Sequence, residues 1–560
     1  MDYSTSPWQN QHADAIAAFE RTRTELQRSK RRWTIGAAVF FGLALAGSLH
    51  IGEVSLSHLY AGLPDMFTYL GQITPSLHMQ SLGADMSAWY WALPKWLNLL
   101  LDTVIIAFLG TVIGTTVAIG LCFSASRNLA QNRIIFFLSR RFMEIARGVP
   151  DLVFALIFVY AFGLGPFPGV LALAVHSAGA LCKLFAEINE NIDMKPVEGL
   201  RASGASWTST MRFGVLPQVL PNYLSHALLR LEINVRAASV VGFVGAGGIG
   251  QELMLVVQQF IYTDISAIVL LLIAIVSFLD ITCERIRHAV IAGKDSGKSL
   301  FARTPSWVLW LAFAAVVIVC LHRTGFFNLA IILQGFHKLG WLVALMLPPS
   351  TGGSLSTLIN AMGQTLAMAF LGTLGASLVA LPLGFLGARN TGPGRMVRFG
   401  LRRVFDVLRG VDPLIWALVV INMVGLGPFA GILAIAIGDS GVLAKIFAEA
   451  IENVEAKPIE GVRSCGASTL EVIRYGYLPQ ILPVLLSTSL YYFESNTRAA
   501  TILGVVGAGG IGLQLTDRIC VDAWNEVCFI IILILAAVYG IDALSRFIRQ
   551  RVIGTRENRS

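Results

Sequence analysis

The chain has 560 residues; 55% are apolar, only 14% are charged, and the net charge is +8. A soluble domain carries roughly 25% charged residues, so the composition excludes a soluble globular protein and describes a polytopic membrane protein. Positive charges sit in patches beside apolar runs, which suits orientation in a bilayer rather than nucleic-acid binding.

Residues 1–32 are polar and end in a basic cluster. They are expected to form a cytoplasmic tail. The apolar run 33–50 follows without a small-x-small cleavage pattern and reads as a retained helix. Windows of about 20 apolar residues predict further helices at 98–123, 143–162, 169–187, 222–243 and 264–283. A long loop around Pro75–Lys95 precedes the second of the six. After a linker at 291–305, the second series is predicted at 306–322, 361–385, 405–424, 431–449, 484–505 and 525–545. Stretches 245–262 and 507–523 have room for a short extra helix or a re-entrant segment.

The chain is a duplication. Glu198–Pro221 reads EGLRASGASWTSTMRFGVLPQVLP and Glu460–Pro483 reads EGVRSCGASTLEVIRYGYLPQILP, an offset of 262. The same offset relates Arg147 to Arg409, Arg236 to Arg498 and Asp280 to Asp542, and no gap is needed from about Thr103 to Asp280. The layout is therefore a first half at 33–290 with a core at about 102–285, and a second half at 306–560 with a core at about 364–547. Basic residues before 33, at Arg127–Arg141, in the linker and after 545 place all of these segments, and both termini, on the cytoplasmic side. Six helices return each half to its starting side, so the repeats are parallel.

Three signals invite a nucleotide-binding reading or a cysteine-based one, and each fails on context. VGAGGIG occurs at Val244–Gly250 and Val506–Gly512, with glycines at Gly245, Gly247, Gly248, Gly250 and at Gly507, Gly509, Gly510, Gly512. A dinucleotide fingerprint needs a preceding strand in a soluble βαβ unit; here a long apolar helix precedes. The glycines serve either a tight turn beside the pore or a cradle of bare N–H groups for an anion. AGKDSGKS at Ala292–Ser299 imitates a phosphate loop, but it sits in a short basic linker with no strand before it. The seven cysteines are scattered without a C-x-x-C, so neither a metal site nor a disulfide framework is expected.

The loop EGLRASGAS…LPQVLP lies on the cytoplasmic side, and its two copies share 13 identities over the 25 residues from Val197 and Ile459. It resembles the EAA loop of ABC-importer permeases. Glu198, Gly204, Leu216 and Pro217 match in the first half, and Glu460, Gly466, Leu478 and Pro479 in the second. Gly199 and Gly461 depart from the pattern, standing where the family has alanine. With the glycine motif and the preceding Arg-Ala-Ala, the chain resembles the phosphonate-transport branch, over about 102–285 and 364–547. The resemblance implies a type I ABC-importer fold, all-α with two tandem repeats of about six transmembrane helices. It implies that these loops are coupling helices docked on cytoplasmic ATPase subunits. Glu198 and Arg201, and Glu460 and Arg463, lie about one turn apart on their helix, where they can cap or pair.

Charged residues also fall within predicted spans. LEINVRAA places Glu232, Asn234 and Arg236 at i, i+2 and i+4; FESNTRAA does the same with Glu494, Asn496 and Arg498. Intramembrane ions mark substrate paths by default. Either each Glu–Arg is a structural pair, or the two arginines face a shared pore and attract an anion, for which a guanidinium fork is suited. Arg147 and Arg409 are weaker candidates, suited to snorkelling or interhelical packing.

The expected protein is a fused permease subunit of a binding-protein-dependent importer in the bacterial inner membrane, moving a phosphonate or related phosphorus oxyanion. Its expected partners are two copies of a cytoplasmic ATPase, a substrate-binding protein outside, the bilayer and a small anion, with no nucleic acid. The chain itself holds no cofactor and no metal, since ATP and magnesium belong to the ATPase. Other readings are a permease for an amino acid or betaine, an ATP-independent secondary transporter, and a membrane enzyme. The second needs no paired cytoplasmic loops, and the third has no catalytic motif.

Overall fold

The computed structural model describes residues 7–292 and 306–557, and among these there is no strand. The first half comprises α1 (Pro7–Ile51), α2 (Leu56–Ile73), α3 (Leu82–Trp89), α4 (Leu93–Ala125), α5 (Arg133–Gly148) and α6 (Asp151–Phe162). It continues through α7 (Pro166–Glu190), α8 (Lys195–Ala202), α9 (Trp207–Thr210), α10 (Leu216–Gly242), α11 (Ile249–Gln258) and α12 (Tyr262–Ala292). The second half comprises α13 (Ser306–Arg323), α14 (Leu329–Leu345), α15 (Leu355–Gly387), α16 (Arg395–Gly410), α17 (Pro413–Val424) and α18 (Pro428–Glu452). Then come α19 (Ala456–Ser464), α20 (Thr469–Val472), α21 (Leu478–Leu503), α22 (Gly510–Cys520) and α23 (Trp524–Glu557).

Helix occupies all twelve expected segments. Seven helices among the described residues are long and apolar enough to cross a membrane, and two bent pairs raise the number to nine. One expectation needs correction: 143–162 is not one straight helix. It breaks at Val149–Pro150, and α5 and α6 meet at 91°. Proline supplies no amide to the turn before it, which explains the break. In the second half α16 and α17 are interrupted at the equivalent place, Val411–Asp412. The polar stretch expected as a tail continues without a break into the first apolar run, since α1 is one helix from Pro7 to Ile51. Helices α2, α3 and α14 occupy segments expected to be loop, while α11 and α22 fill the two stretches with room for a short helix. The linker lies outside the described residues beyond Ala292, as does the rest of the AGKDSGKS stretch.

Within each half the long helices α4 and α7, or α15 and α18, form the centre of the packing. Small residues permit the close approach. A Cβ on Gly114 would lie 2.7 Å from Ser177 Cβ, and one on Gly372 would lie 2.7 Å from Ile435 Cβ. The N-terminal helices are exchanged between halves: α1 and α2 pack on α15 and α17, and α13 and α14 pack on α4 and α6. Gly62 of α2 presses on the Met423 carbonyl and Gly335 of α14 on the Phe162 ring, each so closely that a Cβ would fall within about 2 Å. Arg323, at the end of α13, donates to Asp102 of α4 at 2.6 Å and to the Asn98 side chain.

Candidate functional site: the seam between the halves

Helices α10 and α21 both bring their charged turns to the seam between the halves, and the interruptions before α6 and α17 lie at the same place. These elements line an open cavity of about 480 Å³ shared by both halves. Asp151, His176, Glu232 and Arg236 come from the first half, and Arg409, Asp412, Tyr491, Ser495 and Arg498 from the second. A void of about 80 Å³ continues it toward the glycine-motif end of α10, lined by Val240, Leu414 and Leu503 among others. Those three are buried in one apolar cluster with Leu152, so this end of the passage is closed by side chains of both halves.

Two ion clusters related by the duplication cross the seam. In one, Arg147 of α5 donates to Asp542 of α23 at 2.8 Å and to Glu494 of α21 at 3.3 Å. In the other, Arg409 of α16 donates to Asp280 of α12 at 3.0 Å and to Glu232 of α10 at 3.3 Å. The i, i+4 pairing within each helix is present but looser, at 3.5 Å for Arg236–Glu232 and 3.8 Å for Arg498–Glu494. Arg147 and Arg409 therefore tie the halves together, a larger role than snorkelling. Asp280 and Asp542 were noted in the sequence only as landmarks of the repeat. Their signal was an acid kept at one offset inside two apolar runs, where an unpaired charge is costly.

Asn234 and Asn496 turn away from the cavity. Asn234 is fully buried and donates to Thr111 at 2.9 Å and Ser177 at 2.8 Å. Asn496 donates to Thr373 at 2.9 Å and Asp439 at 2.5 Å. Each joins three helices of its own half, a buried and satisfied polar group, and neither lines the cavity. Sequence reasoning did not single out Asp151, Asp412, His176, Tyr491 or Ser495, because the helix breaks that bring them to the seam are tertiary features.

The glycine motifs form turns. Gly245, Gly247 and Gly248 have φ of +85°, +82° and +79°, and Gly507, Gly509 and Gly510 have +98°, +72° and +75°. Gly250 lies so close to α10 that a Cβ would sit 1.8 Å from the Ser239 carbonyl; Gly512 stands 1.9 Å from that of Thr501 in the same sense. The amide of Ile249 donates to Thr103 Oγ1 at 2.8 Å and that of Ile511 to Thr365 Oγ1 at 2.9 Å. The amides at the start of α11 and α22 are thus held by hydroxyls of α4 and α15.

The paired loops at the other end form α8–α9 and α19–α20, each followed by a π turn into α10 or α21. Val197 and Ile459 anchor them, buried at 0% and 6% exposure. Around these anchors Glu198, Gly199, Arg201, Gly204 and Pro217 are exposed, as are Glu460, Gly461, Arg463, Gly466 and Pro479. Leu216 and Leu478 are half-buried where the long helices begin. No ion pair joins Glu198 to Arg201, or Glu460 to Arg463, among the described residues. Gly204 and Gly466 end their helices at φ +79° and +77°, the left-handed C-terminal cap that glycine favours. In the second loop the Ser468 amide donates to Glu471 at 2.7 Å and holds its carboxyl below the ordinary carboxylate range.

The structure is thus a duplicated helical membrane unit with one exposed polar loop per copy and a charged cavity at the seam. The chain belongs to the family described as binding-protein-dependent transport system inner membrane component, which matches residues 110–293 and again 380–554. It is 35% identical over 459 residues to a phosphate-import permease of Mycolicibacterium smegmatis, covering 81% of this chain and 85% of that one. It is 37% identical to a phosphite transport system permease of Stutzerimonas stutzeri, over 43% of this chain and 84% of that one. An Escherichia coli (strain K12) relative named as a cryptic phosphonate transport system permease is 47% identical over 22% of this chain and 99% of its own length. The chain is thus a multi-pass inner-membrane permease with two family units fused in tandem, of the type that works with ATPase and substrate-binding partners.

Proposed function

We propose that this chain carries a small phosphorus oxyanion, a phosphonate or phosphite, inward along the seam between its halves. The observation that carries the reading is the cavity with Arg236 and Arg498 on facing, duplicated helices. The printed substrates of the relatives agree with it. Arg498 Nη1 is buried and has no hydrogen-bond partner, a donor available to an oxyanion. One ATPase copy docks at α8–α9 and a second at α19–α20, so one chain binds two. ATP and magnesium are used by those subunits, and this chain holds no cofactor and hydrolyses nothing itself. Both termini lie in the cytoplasm, and the substrate-binding protein delivers cargo on the opposite face.

The test is reconstitution of the chain with its ATPase and binding protein in proteoliposomes. ATP-dependent uptake of labelled methylphosphonate or phosphite is expected, and uptake of betaine or methionine in place of both would overturn the substrate reading. Native mass spectrometry of the same complex should give one copy of this chain per two ATPase subunits. Two copies of this chain per two ATPases would overturn the fused-pair stoichiometry.

A further inference from the structure

The two halves share a fold but do not offer the cavity the same surface. Positions at i, i+4 and i+7 of a helix share one face. On α21 these are Tyr491, Ser495 and Arg498; on α10 the positions at the same offset of 262 are Leu229, Ile233 and Arg236. All six line the cavity. The second half thus shows two hydroxyls and a guanidinium, where the first shows two aliphatic side chains and a guanidinium.

The arginines differ as well. Arg236 is committed: it donates to Glu232 at 3.5 Å and to the Arg409 carbonyl at 3.4 Å. Arg498 stands 3.8 Å from Glu494, beyond hydrogen-bond reach, and its Nη1 is buried without a partner. The Tyr491 and Ser495 hydroxyls accept and donate no hydrogen bond among the described residues, and Ile233, which lines the cavity, is 47% exposed. Three donors without a hydrogen-bond acceptor thus line the cavity from one face of α21, and two aliphatic side chains line it from the matching face of α10.

Resting on the reading that the cargo is a phosphorus oxyanion, we infer that the cavity binds it in one orientation. The oxyanion is held on the second half by Arg498, Ser495 and Tyr491. The substituent on phosphorus lies against Leu229 and Ile233 of the first half. The oxygens of every such cargo use the polar wall, whereas only an organic substituent uses the aliphatic one. The first wall sets affinity for the anion, and the second separates alkylphosphonates from phosphite, which has only hydrogen there.

The experiment uses the full complex with its ATPase and a saturating concentration of loaded binding protein, and compares uptake of phosphite with that of ethylphosphonate. Ser495→Ala and Tyr491→Phe should each lower uptake of both cargoes by about tenfold, the effect of losing one hydrogen bond to a charged group. Ser495→Thr, which keeps the hydroxyl, should restore it. Ile233→Ser should lower ethylphosphonate uptake by about tenfold, as for lost methylene contacts, and leave phosphite unchanged. Equal effects of Ile233→Ser on both cargoes would overturn the orientation, as would unchanged uptake in Ser495→Ala and Tyr491→Phe. Copurification of the ATPase with each variant verifies assembly; a variant that does not assemble is replaced by Leu229→Ser or Ser495→Cys, read by the same criteria. Transport of neither cargo by the unsubstituted complex would instead overturn the cargo reading itself, a distinct result.

Discussion

Replacing Arg147 by glutamine should destabilise the permease far more than replacing Arg147 together with its partner Asp542. Arg147, Glu494 and Asp542 have side-chain exposures of 20%, 9% and 12%, so they are shielded without being dry. Arg147→Gln leaves Glu494 with Arg498 at 3.8 Å and Arg549 at 3.7 Å, but leaves Asp542 with no cation within 4 Å among the described residues. Orphaning one member of a buried pair costs about 3–5 kcal/mol, and the residual exposure places this case near 3. Arg147→Gln combined with Asp542→Asn removes the orphan, and its cost should fall to about 1 kcal/mol. Asp542→Asn alone leaves Arg147 paired with Glu494 and should itself cost about 1 kcal/mol. The double variant then falls short of the sum of the two single ones by about 3 kcal/mol, a coupling well above the roughly 0.5 kcal/mol scatter of independent sites. Equilibrium unfolding of the detergent-purified chain in graded sodium dodecyl sulfate measures this cycle. Additive effects of the two substitutions would refute the claim that the guanidinium clamps α5 to α23 across the seam.

Three further outcomes follow from the geometry. Gly250→Ala and Gly512→Ala place a methyl within 2 Å of the Ser239 and Thr501 carbonyls, so each should cost about 3 kcal/mol or more and lower the yield of monodisperse protein in size-exclusion chromatography. Gly204→Pro and Gly466→Pro cannot adopt the +79° and +77° caps and lose the amides that donate to Arg201 and Arg463. Copurified ATPase should fall in each, while the thermal midpoint of the membrane portion stays within a few degrees. Arg498→Ala should reduce uptake more than Arg236→Ala, since Arg236 is already engaged by Glu232 and the Arg409 carbonyl; transport rates in proteoliposomes decide the order.

Much of this protein was legible as a linear pattern. Apolar windows located every spanning segment because the bilayer demands about 20 apolar residues in a row. The constant offset of 262 exposed the duplication, and it singled out the paired loops α8–α9 and α19–α20 because polar, glycine-bearing segments recur there at matching places. Positive φ at Gly245 and Gly507 is a local backbone property, so the glycines themselves announced a turn. What hydropathy could not settle was which apolar surface meets which. Lipid tails are as apolar as leucine, so the packing of α1 on α15, or of α14 on α6, leaves no trace in composition. The break at Val149–Pro150 was visible as a proline, but its 91° angle depends on the neighbours that accept α6. Arg147 finds Asp542 across 395 positions of sequence, and Arg498 lost its expected tight partner because a guanidinium from the other half took the carboxylate. Those outcomes were decided by packing in three dimensions, where a charge in a poor solvent pairs with whichever opposite charge the fold brings nearest.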